Sequence, residues 1–263
     1  MKKEELLKIK KIALKTSHEA GEILMGFYRK KIAITEKEKS GLVTQADIRS
    51  EKHIQKMFKK YFPSFSFLGE ESGESFKADN HTPVWHVDPL DGTTNFVHGF
   101  PMFCVSIGLS IGNKPILGVI HIPTIGETFH GAKGCGSFLD KKRMKVSPRK
   151  NLSESLLTTG FAYIHQEEKL LPELERFKNI SLTARAVRRP GAAAIDLAYV
   201  AAGVFDGFWE KNLSSWDICA GTILVEEAGG IVSNFTGNDC DLFGREILAT
   251  NPHIHKQMIE HLK

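Results

Sequence analysis

Trp85-His86-Val87-Asp88-Pro89-Leu90-Asp91-Gly92-Thr93-Thr94-Asn95 decides how the rest of the chain is read. Its apolar start and its two acids describe a short strand running into a turn that holds two carboxylates. Pro89 fixes its own φ and biases Asp88 towards an extended backbone. Two carboxylates held together repel, and one takes a proton unless a cation neutralises the pair. A hard divalent ion such as Mg²⁺ takes oxygen ligands, and the Leu90 carbonyl offers a third. Gly92 lets backbone approach a ligand closely. Thr93, Thr94 and Asn95 then set hydroxyls and free N–H groups at a helix start, where anions bind. Acids followed at once by an anion cradle suggest metal-assisted phosphoryl chemistry. An Asp-Pro and Asp-Gly turn with a threonine helix cap accounts for the same letters without any chemistry.

Upstream, Phe65 to Leu68 reads as a strand entering Gly69-Glu70-Glu71-Ser72-Gly73, a second pair of acids at a strand end. Thr44 with Asp47 three residues on matches a capping box, a structural role for that acid. The helix it opens carries Ile48, Ile54, Met57, Phe58 and Tyr61 as its apolar face and stops at Phe62-Pro63. Leu6, Ile9, Ile12, Thr16, Ile23, Leu24 and Phe27 predict an amphipathic helix from Glu4 to Tyr28. Lys30 to Gly41 is charged and unpatterned, and reads as a mobile surface loop.

Downstream, Phe103 to Ile111 and Ile116 to Ile122 read as adjacent strands joined at Gly112-Asn113-Lys114-Pro115, with a third at Glu127 to Ala132. Leu156 to Gly160 is a strand, Glu167 to Phe177 a helix, and Ser181 to Val187 a strand. Arg188-Arg189-Pro190-Gly191-Ala192-Ala193-Ala194 leads into a helix ending near Ala202. The arginines suit a phosphate, an interface or solvent equally. Phe205 to Glu210 is a strand ending in an acid. Ser214-Ser215-Trp216-Asp217 opens a further helix, with Ser215 or Asp217 as cap or first-turn acid. Strands at Ile231 to Ser233 and Glu246 to Thr250 and a terminal helix from Pro252 complete the chain. Strands and helices alternate without a clean βαβ rhythm, which predicts layered sheets and helices.

The chain has 263 residues, 41% hydrophobic and 25% charged, ordinary for a globular protein. Its net charge of +4 is too weak to imply nucleic acid without a local patch. Lys141, Lys142, Arg143, Lys145, Arg149 and Lys150 do cluster, as a solvated hairpin or loop would. Cys104, Cys135, Cys219 and Cys240 lack CxxC spacing, which argues against zinc and fits reduced thiols in a cytoplasmic protein. His86, His98, His121 and His130 do not fall at metal-ligand spacing and read as core or surface histidines. No apolar run approaches membrane-spanning length, and the charged N-terminus with Glu4 and Glu5 is no signal peptide.

Leu-Gly-Glu70-Glu71-Ser, Asp88-Pro-Leu-Asp91-Gly-Thr-Thr-Asn95-Phe, and Trp216-Asp217 followed by Ala228-Gly229-Gly230 occur in that order. Together, and with Gly99-Phe100-Pro101, they resemble the inositol monophosphatase family of Mg²⁺-dependent, lithium-sensitive phosphatases. The resemblance runs from the Thr44–Asp47 segment to the last strand. It implies one domain over residues 1–263 in alternating α-β-α-β-α layers. The half to about residue 150 carries most metal ligands; the half from 151 carries Asp217 and the alcohol side. It implies that Glu70, Asp88 and the Leu90 carbonyl hold a first Mg²⁺ and that Asp88, Asp91 and Asp217 hold a second. Glu70 reaches a weaker third. Thr93 and Glu70 position the attacking water with Asp47 behind Thr93, and Gly92, Thr93 and Thr94 cradle the phosphate. Gly191, Ala193, Glu210 and Arg188 match positions lining the alcohol site. The implied reaction is hydrolysis of inositol 1-phosphate, or a related polyol or sugar phosphate, without a phosphoenzyme. Family members are typically homodimers.

One departure bears on substrate. Many relatives carry a serine or threonine after the glycine, where this chain has Gly191-Ala192-Ala193-Ala194. Relatives with the same metal core act on fructose 1,6-bisphosphate, histidinol phosphate or 3′-phosphoadenosine 5′-phosphate. Some bacterial relatives associate with the transcription machinery, a non-catalytic partner role that the basic Lys141–Lys150 segment would suit.

Overall fold

The computed structural model describes residues 1–31, 34–36, 42–75, 81–161 and 166–262. Helix α1 (Lys3–Phe27) is set by Leu6, Ile9, Ala13, Ala20 and Leu24, buried at helical spacing on one stripe. Strands β1 (Ile34–Glu36) and β2 (Leu42–Thr44) pair antiparallel, so the segment read as loop carries a strand. The rest of that expected loop, residues 32–33 and 37–41, lies outside the described residues. Helix α2 (Gln45–Tyr61) starts at the capping box formed by Thr44 and Asp47. Its inward face differs from the expected one. Asp47, Ser50 and Glu51 are buried with Ile54 and Phe58, whereas Ile48 and Tyr61 are about 40% exposed. The cap pulls Asp47 inward, and the rotation of the helix follows.

Strands β3 (Ser66–Gly69), β4 (Gly73–Ser75) and β5 (Val84–Asp91) lead to the short helix α3 (Thr93–Val97). Then come β6 (Cys104–Ile111), β7 (Lys114–Ile122), β8 (Glu127–Ala132), β9 (Gly136–Leu139) and β10 (Lys142–Arg143). They form one eight-stranded sheet in the order β10-β9-β8-β7-β6-β5-β3-β4. All neighbours are antiparallel except β3 and β5, which run parallel. The basic Lys141–Arg143 run caps its edge and is exposed.

The second half supplies β11 (Leu156–Thr159), α4 (Glu167–Ser181), β12 (Ala186–Arg188), α5 (Ala193–Ala201), β13 (Gly207–Lys211) and α6 (Ser215–Glu227). Strands β14 (Ile231–Ser233) and β15 (Glu246–Thr250) and helix α7 (His255–Leu262) follow. Helix α4 runs on to Ser181, so the strand expected from Ser181 begins only at Ala186. The second sheet has the order β12-β11-β13-β15-β14, with β12, β11 and β13 parallel.

Three apolar clusters stack these elements. One joins α1 and α2 to the large sheet through Leu24, Ile54, Phe58 and Trp85. One surrounds α5 and α6 between the sheets through Ile195, Leu197, Ile218 and Leu224. The third holds α4 and α7 on the outer face of the small sheet through Ile180, Trp209 and Met258. The layers are therefore α-β-α-β-α.

Helix α6 is buried almost all round, as a central layer requires. Its closeness to the large sheet depends on a pair of cross-strand partners, Gly108 of β6 and Gly118 of β7. A Cβ at Gly108 would lie 2.6 Å from the Cys219 sulfur, and one at Gly118 would strike the Ala220 carbonyl. The glycines make a trough for the helix. Among the described residues no helix is long and apolar enough to cross a membrane.

Candidate active site

Parallel strands from both sheets end at one cavity of about 270 Å³, the usual place for a ligand in such sheets. Glu70 follows β3, and its N–H donates to the Val87 carbonyl at 3.1 Å, which sets it beside Asp88 on β5. On a regular strand Asp88 and Asp91, three apart, would face opposite ways. The β5–β6 register breaks between them, so Asp88, Leu90 and Asp91 all line the cavity. The stretch expected to leave the strand as a turn is thus a bulged strand through Asp91. Asp217 arrives from the first turn of α6, tied by the Ser214 N–H to its Oδ2 at 2.6 Å.

The electrostatics are those of acids crowded into one buried cavity. Burial lifts Asp88 well above the usual carboxylate range, with the charges of Glu70, Asp91 and Asp217 adding. Asp91 is pushed up to about 7 by burial, against the Ala194 N–H that donates to its Oδ2 at 2.7 Å. Asp217 and Glu210 are raised for the same first cause, burial, with neighbouring acids next. Among the described residues these side chains do not close into a finished coordination sphere; they ring the cavity and raise one another. The donors are all oxygen, the set a hard divalent cation takes. Cys104 Sγ lies 3.9 Å from Asp91, but burial raises its thiol well above the ordinary value, so it stays a neutral thiol. The residues fit Mg²⁺.

Behind this group, the Thr93 hydroxyl lies 3.2 Å from Asp47 Oδ1 and 3.0 Å from the Leu90 carbonyl. Asp47 also accepts from the Thr44 N–H and hydroxyl, so one buried acid both caps α2 and holds Thr93. Gly92 sits at φ +89°, and a Cβ there would meet the Met102 carbonyl at 2.8 Å; only glycine makes this turn without strain. Thr94 follows in α3 but does not line the cavity.

Asn95 clasps the two halves: its Nδ2 donates to the Met102 carbonyl at 2.6 Å and to the Pro190 carbonyl at 2.8 Å. Asn95→Ala leaves both carbonyls without this donor and is expected to cost about 1–3 kcal/mol. Denaturant unfolding reads that loss, and an unchanged midpoint would show that the clasp contributes nothing.

The far wall is built by the second sheet. Gly160 follows β11, Glu210 lies in the neighbouring β13, and a Cβ at Gly160 would collide with the Glu210 carboxylate. Gly191 and Ala193 line the same wall. Arg188, expected there, is exposed on edge strand β12, donates to the Val187 carbonyl and does not line the cavity. Arg189, one residue past the end of β12, is exposed but lines the cavity, its guanidinium 5.2 Å over the Phe161 ring. The sequence reading missed Arg245, Asn212 and Leu213. Arg245 reaches the cavity from a turn at φ +60°, a position that no local pattern signals.

Fold and cavity together define the layered α-β-α-β-α class of the sugar and inositol phosphatases. The sequence matches the inositol monophosphatase family over residues 5–263. It is 42% identical over 244 residues to an inositol-1-monophosphatase of Synechocystis sp., covering 92% of this chain and 84% of that one. It is 39% identical to a protein of Pseudomonas aeruginosa named Nus factor SuhB, covering 94% and 93%. The solved extragenic suppressor protein suhB of Bartonella henselae superposes with a TM-score of 0.91 at 38% identity, covering 97% and 98%. The chain belongs to the inositol monophosphatase family, a family of phosphatases.

Proposed function

We propose that this protein is a Mg²⁺-dependent phosphomonoesterase acting on inositol 1-phosphate or a related polyol or sugar phosphate. The observation that carries the reading is one cavity lined by Glu70, Asp88, Leu90, Asp91 and Asp217 together with Gly92 and Thr93. Glu70, Asp88 and the Leu90 carbonyl would hold a first Mg²⁺; Asp88, Asp91 and Asp217 would hold a second, and Glu70 would reach a weaker third. Bound Mg²⁺ supplies positive charge to the phosphoryl oxygens and lowers the pKa of water. Thr93 and Glu70 orient the attacking water, while Asp47 fixes the Thr93 hydroxyl. Gly92 and Thr93 receive the phosphate through N–H and hydroxyl groups. Gly191, Ala193 and Glu210 border the alcohol, with Arg189 in the role first considered for Arg188. Water attacks phosphorus directly as the ester P–O bond breaks, and a proton from that water ends on the departing alcohol oxygen, so no phosphoenzyme forms.

Phosphate release from inositol 1-phosphate, fructose 1,6-bisphosphate, histidinol phosphate and 3′-phosphoadenosine 5′-phosphate tests this. Turnover of at least one is expected with Mg²⁺, none in chelator, and inhibition by Li⁺. Silence across the panel, or full activity in chelator, would sink the proposal. We further propose a cytoplasmic homodimer; the four cysteines are free thiols, as a reducing compartment keeps them.

A second reading, a partner role with the transcription machinery, is favoured by the Nus factor name of the Pseudomonas relative. The exposed Lys141, Lys142, Arg143 and Lys145 offer a basic surface for it. The two roles are compatible.

A further inference from the structure

Residue 86 is a histidine between the buried Trp85 and Val87, and it is 1% exposed. Its two ring nitrogens are both engaged. Nδ1 lies 2.9 Å from the Ser215 hydroxyl and Nε2 lies 2.8 Å from the Ser110 hydroxyl. The three side chains form a closed polar chain from β6, through β5, to the first turn of α6. A buried polar network costs more than an apolar one unless every member is satisfied, and when satisfied it specifies one arrangement.

The arrangement it specifies is that of the acids. His86 stands two residues before Asp88 on the same strand, and Ser215 stands two residues before Asp217 on the same helical turn. A second tie runs alongside: Ser106, the cross-strand partner of Asp88, donates to the Trp216 carbonyl at 3.3 Å. The Asp217 carboxylate is tied within this same turn, by the Ser214 N–H. Helix ends fray unless fastened, and α6 is fastened to the large sheet at residues 215 and 216.

The geometry points to His86 as a positioning residue that fixes Asp217 against Asp88 through Ser215, and so sets the affinity for the second Mg²⁺. This rests on the metal reading above. His86 touches neither substrate nor metal. It acts as an outer partner of the ligand set, of the kind whose loss weakens metal binding roughly tenfold to a hundredfold.

Calorimetric titration of Mg²⁺ into the chelator-stripped, full-length protein tests it, with thermal unfolding in chelator run beside it. His86→Leu is expected to raise the Mg²⁺ Kd about tenfold or more. Ser215→Ala, a smaller change that leaves the strand intact, is expected to do the same. The double variant should be no worse than the larger single change, since both break one chain. His86→Asn places its amide near the former Nδ1 and should recover the affinity; His86→Gln places its amide near Nε2 and should not. Kd values within twofold of the parent for both His86→Leu and Ser215→Ala would overturn the proposal. So would a fall in melting temperature in chelator with no change in Kd, which is a packing role only. An Asn variant that binds no better than the Leu variant would overturn it as well. A parent protein that takes up no Mg²⁺ would overturn the metal reading and this proposal together, an outcome distinct from the others.

Discussion

Asp91→Asn is expected to lower kcat/KM by about 10³-fold or more, because a carboxylate that holds Mg²⁺ as proposed would contribute several kcal/mol of transition-state charge stabilisation. The fold survives the change. An asparagine oxygen still accepts from the Ala194 N–H, the bond that joins Asp91 to the start of α5. Stability in chelator should not fall either, since burial and the Glu70 charge already push this carboxyl up to about 7. Removing a charge that the site disfavours relieves repulsion. Steady-state kinetics and melting curves at pH 8 check both halves. Unchanged turnover would remove Asp91 from the metal set, and collapse of the fold would make it a structural acid.

Removing Mg²⁺ is expected to make stability pH-dependent in a defined direction. Asp91 has its folded pKa near 7, above the ordinary 3.8; Asp88 and Asp217 are raised as well. A raised carboxyl contributes stability fully below its ordinary pKa and loses it as pH rises through the folded value. His86 and His121 work oppositely: burial lowers both to about 4, so their contribution is lost as pH falls below the ordinary 6.5. From about pH 7.5 upward the histidines are neutral in both folded and unfolded chains, and the raised acids dominate the change. Over pH 7.5 to 8.5 the chelated protein is expected to lose stability. With Mg²⁺ the loss disappears, so the gap between the two melting curves widens with pH. A chelated protein that grows more stable from pH 7.5 to 8.5 would contradict the assignment of these acids.

What could be read from the letters was local. Asp88, Leu90 and Asp91 declared themselves because they are neighbours in sequence, and Thr44 with Asp47 because a capping box has a fixed spacing. That Glu70 and Asp217 join them depends on β3 pairing beside β5 and on where α6 lies. No spacing encodes that; resemblance to a family supplied it. Pro89 and Asp91-Gly92 look like a turn because turns favour those residues, yet sheet pairing carries the strand through them as a bulge. Hydrophobicity put Ile48 and Tyr61 on the inner face of α2, where polar partners instead draw in Asp47, Ser50 and Glu51. Arg188 and Arg189 could not be told apart, because the end of β12 falls between them and decides which of the two lines the cavity. His86 reads as a core histidine, and its partners Ser110 and Ser215 lie too far off in sequence to be guessed.

The trough of Gly108 and Gly118 also has a meaning in the order of synthesis. Chains emerge N-terminus first and fold domain by domain as they do. The large sheet, its paired glycines and three of the acids all leave the ribosome long before α6, which fills the trough and brings Asp217. Until then the nascent protein has an apolar sheet face with no helix on it and a cluster of acids lacking its last member. The chain is therefore vulnerable to aggregation for as long as the second half is being made. If Mg²⁺ binds as proposed, its full set of acids exists only once α6 has been made.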